Sequence, residues 1–275
     1  MPPMANMRGF EMQLIRSGLI NFYDCLVIYI GLIWLGVLCL VWTPIALIVY
    51  PILTVRRGRV LGRYVTMVGF RLFLACLTWT RRCSFDVEAL DTLRAERSLI
   101  IAPNHPCLLD AVMIISRLPN VACVLKADLM NNIFLGAGAR LARYVQNEPV
   151  RRMVQLAILD IADGSHLLLF PEGTRTTHYP VNPYKGSIGL IAYHAQVSVQ
   201  TVLIETNSAY LGKGWSLFRK PPMPIHYRVR LGRRFAPPKN ARQFTVELEH
   251  YFANELIPSA TMHANNKMHT QPVSV

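Results

Sequence analysis

Charge is scarce in this sequence, and acidic charge most of all. Asp, Glu, Lys and Arg make up 16% of 275 residues, with 16 acidic side chains against 29 basic ones, so the formal net charge is +13. A heptad rod needs far more charge than this, and a disordered chain needs far fewer apolar residues than the 52% found. Sixteen glycines without a period exclude a collagen-like chain. The six cysteines, at 25, 39, 76, 83, 107 and 123, include no C-x-x-C pair. That excludes a disulfide scaffold and leaves reduced, packed thiols in a cytoplasmic setting. No cluster has metal-ligand spacing, so no metal is expected. Zinc-finger spacing and an RNA-binding fingerprint are missing too, so no nucleic-acid partner is expected. No internal repeat is visible.

What the chain has is apolar length. Mean hydropathy is +0.28, and residues 25–55 contain no charged side chain. As one helix they would run roughly 46 Å at ~1.5 Å per residue, against a hydrocarbon core of ~30 Å. Pro44 and Pro51 argue against one straight helix: residues 25–43 would span, and 44–55 would form a broken continuation or a return arm. Arg56, Arg57, Arg59 and Arg63 follow the run, and only Arg8 and Arg16 precede it. The positive-inside bias therefore puts everything after Val55 in the cytoplasm. Residues 60–80 are apolar but carry Arg63 and Arg71, which suits a helix at the interface or packed on the globular part. Residues 206–246 hold nine Lys/Arg and no Asp or Glu, a stretch that suits an anionic membrane surface. Within it, the basic and aromatic residues 215–224 suit a loop touching headgroups, or a plain connector.

Past residue 80 the texture changes. Residues 98–102 read as a buried strand, 121–125, 166–170 and 199–204 as further strands, and 224–231 as a strand with one wet face. Helical patterns fall at 107–117, 149–162, 187–195 and 239–257. The alternation predicts an α/β fold, a mixed, largely parallel sheet flanked by helices, with an N-terminal membrane-associated helical segment. The expected divisions are 1–80 for the membrane-associated helices, 81–257 for the α/β domain and 258–275 for a flexible tail. Ligands of such sheets bind beyond the carboxyl ends of the strands. The loops after residues 102, 125 and 170 are the places to look.

After the first of these strands come Asn104, His105 and, five residues beyond His105, Asp110. An acceptor on one ring nitrogen lets a histidine present the other as a base. The alternative is a histidine that caps the helix, with Asp110 a solvated first-turn acid. After the third strand comes Phe170-Pro171-Glu172-Gly173-Thr174-Arg175. Gly173 permits a tight turn, and Arg175 offers a planar fork for phosphate. Glu172 can fix that arginine or accept from a substrate hydroxyl; alone, the segment reads equally as an ordinary turn. Lys126, just after the second strand, suits a phosphate or an acidic carrier, or is a surface lysine. His178, His194 and His226 have no partner at useful spacing.

Together, the two motifs resemble the glycerolipid acyltransferase family, and most closely the 1-acylglycerol-3-phosphate (lysophosphatidate) acyltransferases. The family's Asn-His-four-residues-Asp motif matches Asn104, His105 and Asp110, and its Phe-Pro-Glu-Gly-Thr-Arg motif matches residues 170–175 in full. The resemblance covers residues 80–235. It implies a membrane-bound O-acyltransferase of phospholipid biosynthesis, with His105 as general base and Asp110 orienting it. It implies that Glu172, Gly173, Thr174 and Arg175 bind the acceptor's anionic headgroup. The co-substrate would be an acyl thioester, acyl-CoA or acyl carrier protein, with no other cofactor, and the expected location is the cytoplasmic face of a bacterial inner membrane. Two positions depart from the pattern: Asn147 stands where the family carries Arg, with Arg143 or Arg151 as substitutes, and residues 199–202 lack the Pro of the fourth motif. Both bear on the acceptor, so a lyso-ornithine or other specialised lipid is the second expectation. A non-catalytic adaptor for anionic lipid is the third.

Overall fold

The computed structural model describes the backbone of residues 4–268 and the side chains of residues 11–256. Two helices lead: α1 (Met4–Ile52) and α2 (Val55–Trp79). Then come β1 (Cys83–Asp86), β2 (Ile100–Pro103), α3 (Leu109–Ile115), β3 (Val121–Leu125), α4 (Ala127–Met130), α5 (Gly136–Leu141), β4 (Val145–Gln146), α6 (Val150–Ala162) and β5 (His166–Leu168). The chain continues through α7 (Ser187–Ala195), β6 (Val199–Thr206), β7 (Ile225–Phe235) and α8 (Ala241–Met268). Seven strands form one sheet in the order β1-β7-β6-β2-β5-β3-β4. Every neighbouring pair is parallel except β6 with β7. The predicted α/β class is the one observed.

Burial explains the strands. All four residues of β2 are buried, as are the first six of β6, because helices cover both faces of the centre. β7 alternates at its start, buried and exposed by turns, so one face is wet there. One apolar cluster lies on the α1–α3 side and includes Phe73, Leu90, Met113, Ile204 and Tyr227. The other lies under α6, α7 and α8 and includes Ile100, Leu167, Ile191 and Phe252.

The N-terminal helices depart from expectation. α1 runs unbroken through Pro44 and Pro51. A proline costs a helix one N–H and a steric clash, but neighbours can take up the freed groups. The carbonyl that Pro44 leaves without a donor is that of Leu40; α1 is held here by packing on α5 and by the Thr43 hydroxyl, which bonds the Cys39 carbonyl at 2.9 Å and lies 3.1 Å from the Ile133 carbonyl. Pro51 falls in the last turn, where little ladder remains to lose. Glu11–Ile52 and Val55–Trp79 are both long and apolar enough to cross a membrane. The outer face of α1 leaves Leu19, Phe22, Ile33 and Ile48 exposed.

α2 is also tied to the α/β domain. Arg63, 1% exposed, spends its guanidinium on the Asp160 carboxylate, the Ser165 hydroxyl, the Asn120 amide oxygen and the Ala142 carbonyl, at 2.7–3.0 Å. A buried guanidinium is tolerable when it is paired and most of its N–H groups are bonded, as here. Next to it, Gly62 touches the end of α5: a Cβ there would sit 2.6 Å from the Ala142 nitrogen. This glycine is what allows the two backbones to meet.

At the other end, α8 continues past Pro258 to Met268, eleven residues beyond the expected Ile257. The tail expected over 258–275 thus falls partly on this helix, and residues 269–275 lie outside the described residues. The elements with no strong sequence signal are the short ones: β1, the two-residue β4, α4 and α5.

Candidate active site

The functional residues sit where parallel strands end. β6, β2, β5 and β3 are consecutive in the sheet and parallel, so the loops that follow them share one edge. β2 stops at Pro103, which has no N–H to extend the ladder. Asn104 extends it with its side chain: Nδ2 donates to the Ile204 carbonyl at 2.9 Å, and Oδ1 accepts from the Ile204 N–H at 2.7 Å. This holds the next residue, His105, just beyond the sheet edge.

His105 is fixed on three sides. Its backbone N–H donates to Glu172 Oε1 at 3.2 Å, and its carbonyl accepts from the Thr176 N–H at 2.8 Å. Its ring stacks on Phe170, with centroids 3.9 Å apart and planes inclined by 24°. Its Nδ1 lies 2.8 Å from Asp110 Oδ2. The histidine side chain is 14% exposed and the aspartate 0%. Asp110 Oδ2 also accepts from the Cys107 N–H at 2.8 Å, and Oδ1 accepts from the Cys107 thiol at 3.0 Å. Burial pushes the Asp110 carboxyl up from its ordinary value, against the pull of the His105 and Cys107 bonds. The helix-capping alternative for His105 therefore fails: Asp110 is no solvated acid, and it holds the ring directly.

Glu172 corrects an expectation. It is buried, and both carboxylate oxygens go to the protein: Oε1 to the His105 N–H and the Thr176 hydroxyl, Oε2 to the Asn182 N–H at 3.0 Å. Burial raises its carboxyl, and those bonds oppose the shift. It neither pairs with Arg175 nor lines the cavity; it ties the second motif to the backbone of the first. Arg175 donates to the carbonyls of Leu211 and Gly212, both at 2.9 Å, so Nη1 secures the loop after β6 while the side chain lines the cavity. Gly173 takes φ +67°, a left-handed conformation suited to glycine, and the Lys185 side chain lies across it.

One cavity of about 1380 Å³ takes in these groups. Leu35 and Trp42 of α1, Val65 and Phe73 of α2, and Phe134 line an apolar arm. His105, Gly173, Thr174 and Arg175 line it elsewhere, together with Lys126, Lys185 and Lys213. The structure thus brings Lys126, Gly173, Thr174 and Arg175 to the cavity that His105 faces, and leaves Glu172 behind it. Asn147 also lines the cavity, its Oδ1 accepting from the Ala127 N–H at 3.2 Å. Arg143 does not replace the family's Arg: it turns to α1, 2.9 Å from the Tyr50 hydroxyl, with its guanidinium over that ring. Arg151 is exposed on α6 and is not among the lining residues. Two histidines read as partnerless have partners: His226 Nδ1 lies 2.6 Å from the Ser84 hydroxyl, and His178 lies beside Asn182.

Sequence reasoning missed Cys107, Asn182, Lys185 and Lys213. Cys107 sits inside the first motif, and its thiol was taken only as packing. Lys185 precedes α7 with no periodic signal. Lys213 was one cation among nine in a basic stretch. Among the described residues no group of three or more His, Cys, Asp or Glu is placed to hold a metal ion.

A largely parallel α/β sheet thus presents a carboxylate-held imidazole to a cavity lined by both apolar side chains and cations. Residues 84–205 match the family model described as Acyltransferase, a span from β1 through β6 that holds both motifs, so the chain carries an acyltransferase domain. The fold is similar to that of the 1-acyl-sn-glycerophosphate (LPA) acyltransferase PlsC from Thermotoga maritima. The match covers 94% of this chain and 99% of that one, with a TM-score of 0.63 and 18% identity. At that identity the likeness establishes the fold.

Proposed function

We propose that this protein moves a fatty acyl group from an acyl thioester to the free hydroxyl of lysophosphatidate, forming phosphatidate. The observation that carries the reading is the 2.8 Å contact by which Asp110, behind the cavity wall, holds His105, which lines the same cavity as the apolar side chains and the cations. With Nδ1–H held by Asp110, Nε2 is the basic nitrogen. It takes the proton of the acceptor hydroxyl as that oxygen attacks the thioester carbonyl carbon. The tetrahedral intermediate collapses, the C–S bond breaks, and the leaving thiolate takes the proton back from the imidazolium. The new ester and a free thiol are the products, and no acyl-enzyme forms.

The rest of the cavity suits this pair of substrates. An acyl chain is favoured in the arm between α1 and α2 by apolar burial. Lys126, Arg175, Lys185 and Lys213 suit the acceptor phosphate and the phosphates of the donor, acyl-CoA or acyl carrier protein. Two apolar helices would hold the site at a bilayer in which acceptor and product both reside. The four arginines that follow the apolar run favour the cytoplasmic face of a bacterial inner membrane.

One observation favours a second acceptor. Asn147 puts a neutral amide on the cavity wall at the position of the family's Arg, and Arg143 is turned away. A less acidic lysolipid, such as a lyso-ornithine lipid, fits that change. Purified protein should be assayed with acyl-CoA and acyl carrier protein against a panel of lysolipids. Turnover with lysophosphatidate supports the first reading, and turnover only with a zwitterionic or amino-acid lysolipid selects the second. His105→Ala should abolish transfer in protein that remains folded and membrane-bound. Normal turnover in that variant would overturn both.

A further inference from the structure

Cys107 is the buried group beside the dyad that the mechanism above does not use. It lies two residues after His105, 1% exposed. Its N–H and its thiol bond opposite oxygens of the same carboxylate: N–H to Oδ2 at 2.8 Å, Sγ to Oδ1 at 3.0 Å. The next oxygen near Sγ is the Tyr227 hydroxyl, at 3.8 Å. The single thiol proton is therefore directed at Asp110. Oδ2 has two N–H donors, one from the backbone and one from His105, and Oδ1 has the thiol.

We propose that Cys107 is a positioning residue for acyl transfer: its thiol, a weak donor, holds the second oxygen of Asp110 and sets how much carboxylate charge remains for the His105 imidazolium. The inference rests on the His105–Asp110 reading above. A carboxylate bonded by strong donors on both oxygens is a poorer partner for an imidazolium, because its charge is already neutralised. A carboxylate with a bare buried oxygen is a stronger partner but lacks one anchor. A thiol lies between, satisfying the oxygen at little cost in charge. The thiol stays protonated: burial pushes it far above its ordinary value, and the Asp110 charge adds to that. It acts as a donor, not as a nucleophile.

The other groups around the dyad do not compete for this role. Tyr227 on β7 and Tyr210 after β6 are held protonated by burial. Cys83 on β1 is pushed up to about 11 by burial. Glu172 touches the His105 backbone N–H, not its ring. Arg175, Lys126, Lys185 and Lys213 line the same cavity and are unchanged in the variants below.

The test is the acid limb of the kcat/KM pH profile, which reports protonation of the dyad as a pair. Full-length protein in mixed micelles would be assayed with oleoyl-CoA and 1-oleoyl-lysophosphatidate. Cys107→Ser supplies a stronger donor in nearly the same volume, so the limb should move to lower pH. Cys107→Ala removes the donor, so it should move to higher pH. Each shift should be roughly half a pH unit or more, the size expected from the gain or loss of one such hydrogen bond. Histidine-labelled protein titrated by NMR, with the His105 signal assigned through His105→Ala, should show the same pair of shifts without turnover. A merely structural role would lower activity without moving the limb in opposite directions. Unmoved limbs, or shifts of the same sign, overturn the proposal. If Cys107→Ala does not fold, an unmoved limb in Cys107→Ser is enough to overturn it. Failure of the dyad itself reads differently, as turnover retained in His105→Ala.

Discussion

Asp110→Asn is the sharpest perturbation of the dyad, because it alters charge with almost no change of shape. The amide oxygen can still accept from His105 Nδ1 and the Cys107 N–H, the two bonds that meet at Oδ2 at 2.8 Å. The amide NH₂ would then face the Cys107 sulfur, a weak acceptor, so the fold should survive. What is lost is the negative charge opposite the imidazolium that forms as the hydroxyl is deprotonated. With charge centres about 4 Å apart and an effective dielectric near 20, that interaction is about 4 kcal/mol. At about 1.4 kcal/mol per decade, kcat should fall by roughly three powers of ten. The assay is continuous detection of the released thiol, with purified protein in mixed micelles. A thermal melt would confirm that the variant is folded. A folded Asp110→Asn protein within tenfold of normal kcat would refute the claim that the carboxylate charge supports catalysis.

Two further outcomes follow from the same geometry. Asn104→Ala would leave the buried N–H and C=O of Ile204 without their 2.7 and 2.9 Å partners. Unpaired buried groups cost about 1–3 kcal/mol each, so the melting temperature should drop by roughly 5–15 °C, and a drop of only a degree or two would count against the strand-zipping role. Lys185→Ala removes a cation from the cavity wall over Gly173 while leaving His105 and Asp110 untouched. The apparent KM for an anionic lysolipid should rise several-fold with little change in kcat, and KM for an uncharged lysolipid should hold; equal effects on both would refute a headgroup contact.

The motif residues were legible in the sequence for a specific reason. His105 and Asp110 are five residues apart, so one loop and one helical turn bring them together, and local geometry is written in local spacing. The strands were equally plain where they are short apolar runs, as in β2 and β3. Glu172 was misread because His105 reaches it only when β2 and β5 pair, and Thr176 and Asn182 reach it only through the fold of the loop after β5. From sequence it looked like a ligand for its neighbour Arg175, yet that side chain reaches the loop after β6 instead. Pro44 and Pro51 predicted a break that α1 does not have, because propensity acts locally and packing can override it.

The sequence by itself determined the chemistry: a histidine and an aspartate at loop distance, a Glu-Gly-Thr-Arg turn after a strand, an excess of cations and a long apolar lead. These depend on covalent neighbours and composition, and one dimension is enough to state them. The tertiary structure alone decided which charges serve the site and which serve the scaffold. Arg63, in an apolar helix, is consumed by Asp160 and its neighbours, and Glu172 by backbone N–H groups and a hydroxyl. Lys185 and Lys213, unremarked in the sequence, line the cavity with His105. Partners separated by tens to hundreds of residues meet only through strand order, and hydrogen bonding follows proximity in space rather than in sequence.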